Sequence, residues 1–113
     1  MSVSYEGFNV NALTFNCSAE IAKGKPVKIN KSSHVAQCTD GDSFHGIVVD
    51  SDSKYASVQV AGVVTISYSG TAPATGYTGL CADGNGGVKT STSGEKHLVF
   101  ATDTAAKTVT FLM

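Results

Sequence analysis

Apolar and polar residues alternate with period two over residues 55–68, the longest patterned stretch of the chain. Ala56, Val58, Val60, Gly62, Val64, Ile66 and Tyr68 fall on one side, and Ser57, Gln59, Thr65 and Ser67 on the other. That is the spacing of side chains on opposite faces of a β-strand. Gly62 interrupts the pattern, and a glycine inside a strand marks a bulge or a sharp bend, so one bent strand and two strands in line both fit. Leu13, Phe15 and Cys17 alternate in the same way with Thr14, Asn16 and Ser18. Val27 and Ile29 follow Pro26, a residue suited to the first position of a strand because it has no N–H to donate. Residues 34–38 form a further short strand candidate. Residues 44–49 are a denser apolar run, expected to be buried on both sides. Residues 98–101 and 108–113 flank Asp103-Thr104-Ala105-Ala106-Lys107 and read as a closing hairpin.

Turn chemistry separates these pieces. Ala22-Lys23-Gly24-Lys25, Asp40-Gly41-Asp42 and Asp83-Gly84-Asn85-Gly86-Gly87 supply residues that tolerate positive φ. Runs of strong helix formers are absent, and only residues 19–23 or 104–107 have room for a helical turn. The predicted fold is mainly β: a compact small β-barrel or β-sandwich-like domain with at most short helical turns and an extended N-terminal arm. The arm is residues 1–11, polar apart from Val3, Tyr5, Phe8 and Val10. Residues 12–113 make a single β-rich domain. The small-residue segment 69–76 reads as a loop.

Length and charge narrow the function classes. A chain of 113 residues is one domain, and folding at that size buries roughly two-thirds of the surface of the unfolded chain. The formal net charge is −1 and there is no arginine, so neither the electrostatic footprint nor the arginine forks of a nucleic-acid reader are present. Three widely spaced cysteines, Cys17, Cys38 and Cys81, fit a reducing compartment better than a disulfide framework. The first residues lack a basic stretch followed by an apolar one, so no secretory signal is expected. No apolar run approaches the roughly 20 residues of a membrane span.

The search for reactive groups returns little. No Cys-x-x-Cys or His-x-x-x-His pair announces a metal site. His34 and Cys38 share one strand face, with Cys17 free to approach, but buried thiols acting as small hydrophobes is the stronger reading. Asp50-Ser51-Asp52-Ser53-Lys54 opens like a calcium loop, yet Tyr55 and Ala61 occupy the positions that need glycine and glutamate. No Gly-x-Ser-x-Gly elbow occurs, and residues 84–87 lead into Val88-Lys89-Thr90, not into a phosphate-binding helix. No lysine sits in a Met-Lys-Met carrier context. The chain is expected to hold no catalytic, cofactor or metal site, and not to be an enzyme.

The order of motifs is more telling. Ala22-Lys23-Gly24-Lys25-Pro26-Val27-Lys28-Ile29 is followed by Asp42-Ser43-Phe44-His45-Gly46-Ile47-Val48-Val49. Then come Ala56-Ser57-Val58-Gln59-Val60-Ala61-Gly62-Val63-Val64 and the turn Asp83-Gly84-Asn85-Gly86-Gly87-Val88-Lys89. Over residues 12–113 this resembles the capsid-cement, or head-decoration, proteins of tailed phages and prophages. The resemblance implies a compact β-fold made in the host bacterial cytoplasm and bound to the outer surface of the expanded head. It implies the major capsid protein as partner, self-association as a homotrimer, and no enzymatic role, cofactor, nucleic acid or membrane. On this view Tyr5, Phe8, Asn9 and Val10 of the arm are the expected capsid contacts, adding a strand to a capsid sheet edge. The Ser57, Gln59, Thr65, Ser67 face is read as solvated, with a subunit contact as the alternative. Competing readings are a tail or baseplate β-domain and a glycan-binding β-module. The absence of tryptophan and the 8% aromatic content count against the latter.

Overall fold

The computed structural model describes residues 11–113. Ten strands follow one another: β1 (Asn11–Asn16), β2 (Pro26–Lys31), β3 (His34–Gln37), β4 (Gly46–Ser51), β5 (Tyr55–Ala61), β6 (Val63–Ser67), β7 (Gly76–Ala82), β8 (Val88–Thr90), β9 (Glu95–Asp103) and β10 (Thr108–Leu112). The described residues contain no helix. The first five strands close a barrel in the order β1-β3-β2-β4-β5, and the last five form a second sheet in the order β6-β10-β9-β7-β8. The expected small β-barrel is therefore present, with a second sheet beside it.

The alternation over residues 55–68 holds throughout, but it serves two cores. Ala56 and Val58 are buried in the barrel with Cys17, Ile21, Val27, Val35 and Val48, and Phe15 and Val60 pack against them. Val64, Ile66 and Tyr68 are buried in the second sheet with Leu80, Ala82, Val88, Val99, Val109 and Phe111. Gly62 separates the two strands at φ +97°, a conformation L side chains rarely adopt, and passes the chain from one sheet to the other. Fully burying residues such as Leu80 and Phe111, both 0% exposed, stabilises by about 1.5–3 kcal/mol each.

The second sheet curls until its ends approach. Tyr68, just beyond β6, forms a parallel bridge with Val88 of β8, and the Ser69 N–H donates to the Val88 carbonyl at 3.0 Å. The two bodies are stitched together at the 39–44 loop. Gly41 N–H donates to the Ala82 carbonyl at 2.9 Å, and Ala82 N–H donates to the Asp42 carbonyl at 2.8 Å. Phe44 leaves this loop to enter the core of the second sheet, stacked on His97 at 5.0 Å and edge-on to Phe111 at 5.8 Å.

Two expectations need correction. Residues 104–107 form no helical turn: they are the β9–β10 hairpin, capped by the Asp103 carboxylate accepting from the N–H groups of Ala105 and Ala106. Residues 19–23 are likewise non-helical. The 44–49 run is buried on both sides only as far as Val48: Ile47 enters the core of the second sheet and Val48 that of the barrel, while Val49 is 40% exposed. β4 thus lies between the two cores at its start and reaches solvent from Val49 onward, where its pairing with β5 shifts register.

Candidate functional site

Tyr5, Phe8, Asn9 and Val10 lie outside the described residues. The strand that continues from them, β1, is the part of that expectation the structure does describe. On one side β1 pairs along its whole length with β5, from Asn11 opposite Ala61 to Asn16 opposite Tyr55. On the other side the described residues give it one bridge, Asn16 to His34 of β3, where β3 begins as β1 ends. Asn16 N–H donates to the Ser33 carbonyl at 2.8 Å at the same point. The outer edge of β1 from Asn11 to Phe15 thus has no strand beside it among the described residues. An unpaired edge of this kind is a template for an added strand.

Apolar side chains accompany that edge. Leu13 stands opposite Val58 and so shares its inward face, yet Leu13 is 54% exposed while Val58 is 1%. Ile29 stands opposite the buried Val35 and is itself 45% exposed. Both belong to the inward set of the barrel but sit where that set reaches the rim. His45 beside them is exposed, and its Nδ1 accepts from the Ile29 N–H at 2.9 Å. The alternation of Leu13 and Ile29 was legible in the sequence. That they end at an uncovered rim was not, because it depends on the stagger between β1 and β3.

A second apolar row crosses the outer face of the second sheet. Register places Val63 opposite Leu112, Leu112 opposite Leu98, and Leu98 opposite Tyr77. Leu112 is 40% and Tyr77 75% exposed. Thr65 lies on the same face, its hydroxyl 2.8 Å from that of Thr110. The Ser57, Gln59, Thr65, Ser67 face therefore divides between two sheets, and Gln59 is spent on structure: its amide donates to the carbonyls of Ala61 and Val63, both at 3.1 Å.

The titratable groups hold loops in place. Asp42 receives the Lys28 ammonium at 2.7 Å and the Thr39 N–H and hydroxyl at 2.9 and 2.8 Å. The Lys28 contact, followed by the two from Thr39, holds its carboxyl down at about 2. Asp52 is lowered by the N–H groups of Lys54 and Tyr55. Partial burial pushes Asp83 upward, but the N–H groups of Asn85 and Gly87 and the Ser69 hydroxyl outweigh it, and the net shift is downward. Of the two aspartates in the calcium-like opening, Asp52 is thus a turn residue and Asp50 lies in β4.

The three cysteines are free and buried. Burial pushes the Cys38 thiol up to about 11, which keeps it protonated and unreactive. His34 turns to Ser18, its Nε2 2.9 Å from the hydroxyl. No group of three or more His, Cys, Asp or Glu able to hold a metal occurs among the described residues. No known protein-family model matches the chain, and no curated protein matches it.

Proposed function

We propose that this chain is a structural virion protein that binds the outer surface of an expanded phage head and stabilises its lattice. The observation that carries the reading is the open edge of β1, flanked by the exposed Leu13 and Ile29. It continues directly from a segment whose Tyr5, Phe8 and Val10 are suited to anchoring on a partner. The motif order over residues 12–113 supports the same reading. The partner is the major capsid protein, contacted by Tyr5, Phe8, Asn9 and Val10 together with the β1 edge, and the chain associates with itself as a homotrimer.

The energetic logic suits the role. A protein that binds only the expanded lattice shifts the equilibrium toward it by mass action. Many copies share the load, so each contact need only be modest. Backbone pairing at a strand edge provides affinity, and alternate side chains such as Leu13 provide specificity.

The direct test is the full-length chain carrying Tyr5→Ala, Phe8→Ala and Val10→Ala together. Head binding should be lost while the thermal unfolding midpoint stays where it was. Undiminished binding by this variant would remove the arm from the contact.

A further inference from the structure

The connection from β8 to β9 must cross β7, which lies between them in the sheet. It does so at Gly79. A Cβ at that position would collide with the Ser91 carbonyl oxygen and lie 3.1 Å from that of Gly94. The Ser91 N–H donates to the Gly79 carbonyl at 2.9 Å. The turn after β8 is therefore folded over the outer face of β7. Tyr77, the preceding residue on that face, stands beside it. Between the ring and the turn runs an open groove of about 440 Å³, bordered by Thr90, Ser91 and Thr92 on one side and by Lys96. Lys96 is opposite Gly79 in the β7–β9 register.

The groove's chemistry is specific in kind. Its single aromatic ring is 75% exposed, the most exposed large hydrophobic side chain among the described residues. The hydroxyls of Tyr77 and Thr92 and the Lys96 ammonium have no hydrogen-bond or ion-pair partner among those residues. Hydroxyl groups both donate and accept, which matches a ligand that presents hydroxyls in turn. The electron-rich ring face attracts weakly polarised C–H groups, as on the apolar face of a pyranose. The volume lies within the usual range for small-ligand sites, roughly 300–1,000 Å³. One cation is too few for a nucleic-acid track, and the openness and polar walls do not suit a buried apolar ligand.

We infer that the Tyr77 groove binds a saccharide. One sugar ring stacks on Tyr77, its hydroxyls meet that of Thr92 and the backbone of the turn, and Lys96 receives a hydroxyl or carboxylate substituent. The site is shallow, so single-site affinity is weak; display of many copies on one particle would multiply it. This inference stands apart from head binding, because the groove and the β1 edge share no residue.

The test is a ¹H–¹⁵N titration of the full-length protein with tetrasaccharides of glucose, galactose, N-acetylglucosamine and galacturonate. Saturable shifts confined to residues 77–79, 90–92 and 96 with at least one of them are expected. Tyr77→Ala should weaken binding about tenfold or more with an unchanged unfolding midpoint, while Tyr77→Trp retains it. Lys96→Ala should weaken galacturonate selectively if the carboxylate is read there, and neutral sugars if a hydroxyl is. No saturable shift with any of the four sugars overturns the inference, as does undiminished affinity in Tyr77→Ala. Either failure leaves head binding untouched.

Discussion

Asn16 and His34 form the single parallel bridge that joins β1 to β3 among the described residues. Because β3 starts where β1 stops, the barrel closes at one corner and leaves the rest of the β1 edge without a neighbour. That stagger turns an ordinary core residue, Leu13, into a rim residue that is 54% exposed.

Lysine at Leu13 or Ile29 should separate binding from folding. Both side chains already reach solvent, so Leu13→Lys or Ile29→Lys should destabilise by about 1 kcal/mol or less. Each should weaken head binding about tenfold or more, since a charge would then have to be desolvated at the contact. Urea unfolding and a head-binding isotherm on the same preparations measure the two effects.

Gly46 should be irreplaceable for a different reason. A Cβ there would collide with Val58 Cγ1 and lie 2.8 Å from the Gln59 carbonyl oxygen, inside the packed β4–β5 pair. Gly46→Ala should cost about 1–3 kcal/mol by overpacking, read as a lower urea midpoint with an unchanged slope.

The barrel half of the fold was readable from pattern, and the second sheet only in part. Residues 55–68 keep one alternation on both sides of Gly62, but nothing in that alternation tells one bent strand from two strands in separate sheets. The difference rests on the backbone of Gly62. β7 and β8 left no clear signal. Gly79 breaks the apolar rhythm of β7 because the turn over it excludes a side chain, and β8 is three residues long. The groove at Tyr77 was out of reach for the same reason. Its residues come from three strands, and only the register of β7 on β9 brings Tyr77, Gly79 and Lys96 together.

Acid should loosen the joint between the two bodies. Asp42, held at about 2 against an ordinary 3.8, is charged in the folded and unfolded chains alike above pH 5 or so, where its contribution is complete. As pH falls from about 4 to about 2 the unfolded chain takes up the proton first, and that stability is lost. Asp42→Asn should flatten the stability–pH curve over this window. Urea midpoints from pH 5 to 2 for both proteins would show it; parallel curves would show that Asp42 contributes nothing to the acid response.

His97 should add a second, milder dependence at higher pH. Burial against Phe44 and Phe111 lowers its pKa below 6.5, and its buried Nε2 has no partner. The folded state prefers the neutral ring, so the contribution is complete above pH 6.5 or so and declines as pH falls through and below that value. His97→Phe should remove the slope between pH 6.5 and 5 while the slope governed by Asp42 remains. Thermal unfolding across that range distinguishes the two.

The claim at the centre of this account is attachment to the expanded head. Under the proposed function, purified chain is co-sedimented with expanded, undecorated tailed-phage heads, with unexpanded shells as the comparison. Saturable binding to expanded heads alone is the predicted result, and its plateau gives the copy number. Absence of binding to expanded heads, or equal binding to both shells, would contradict it.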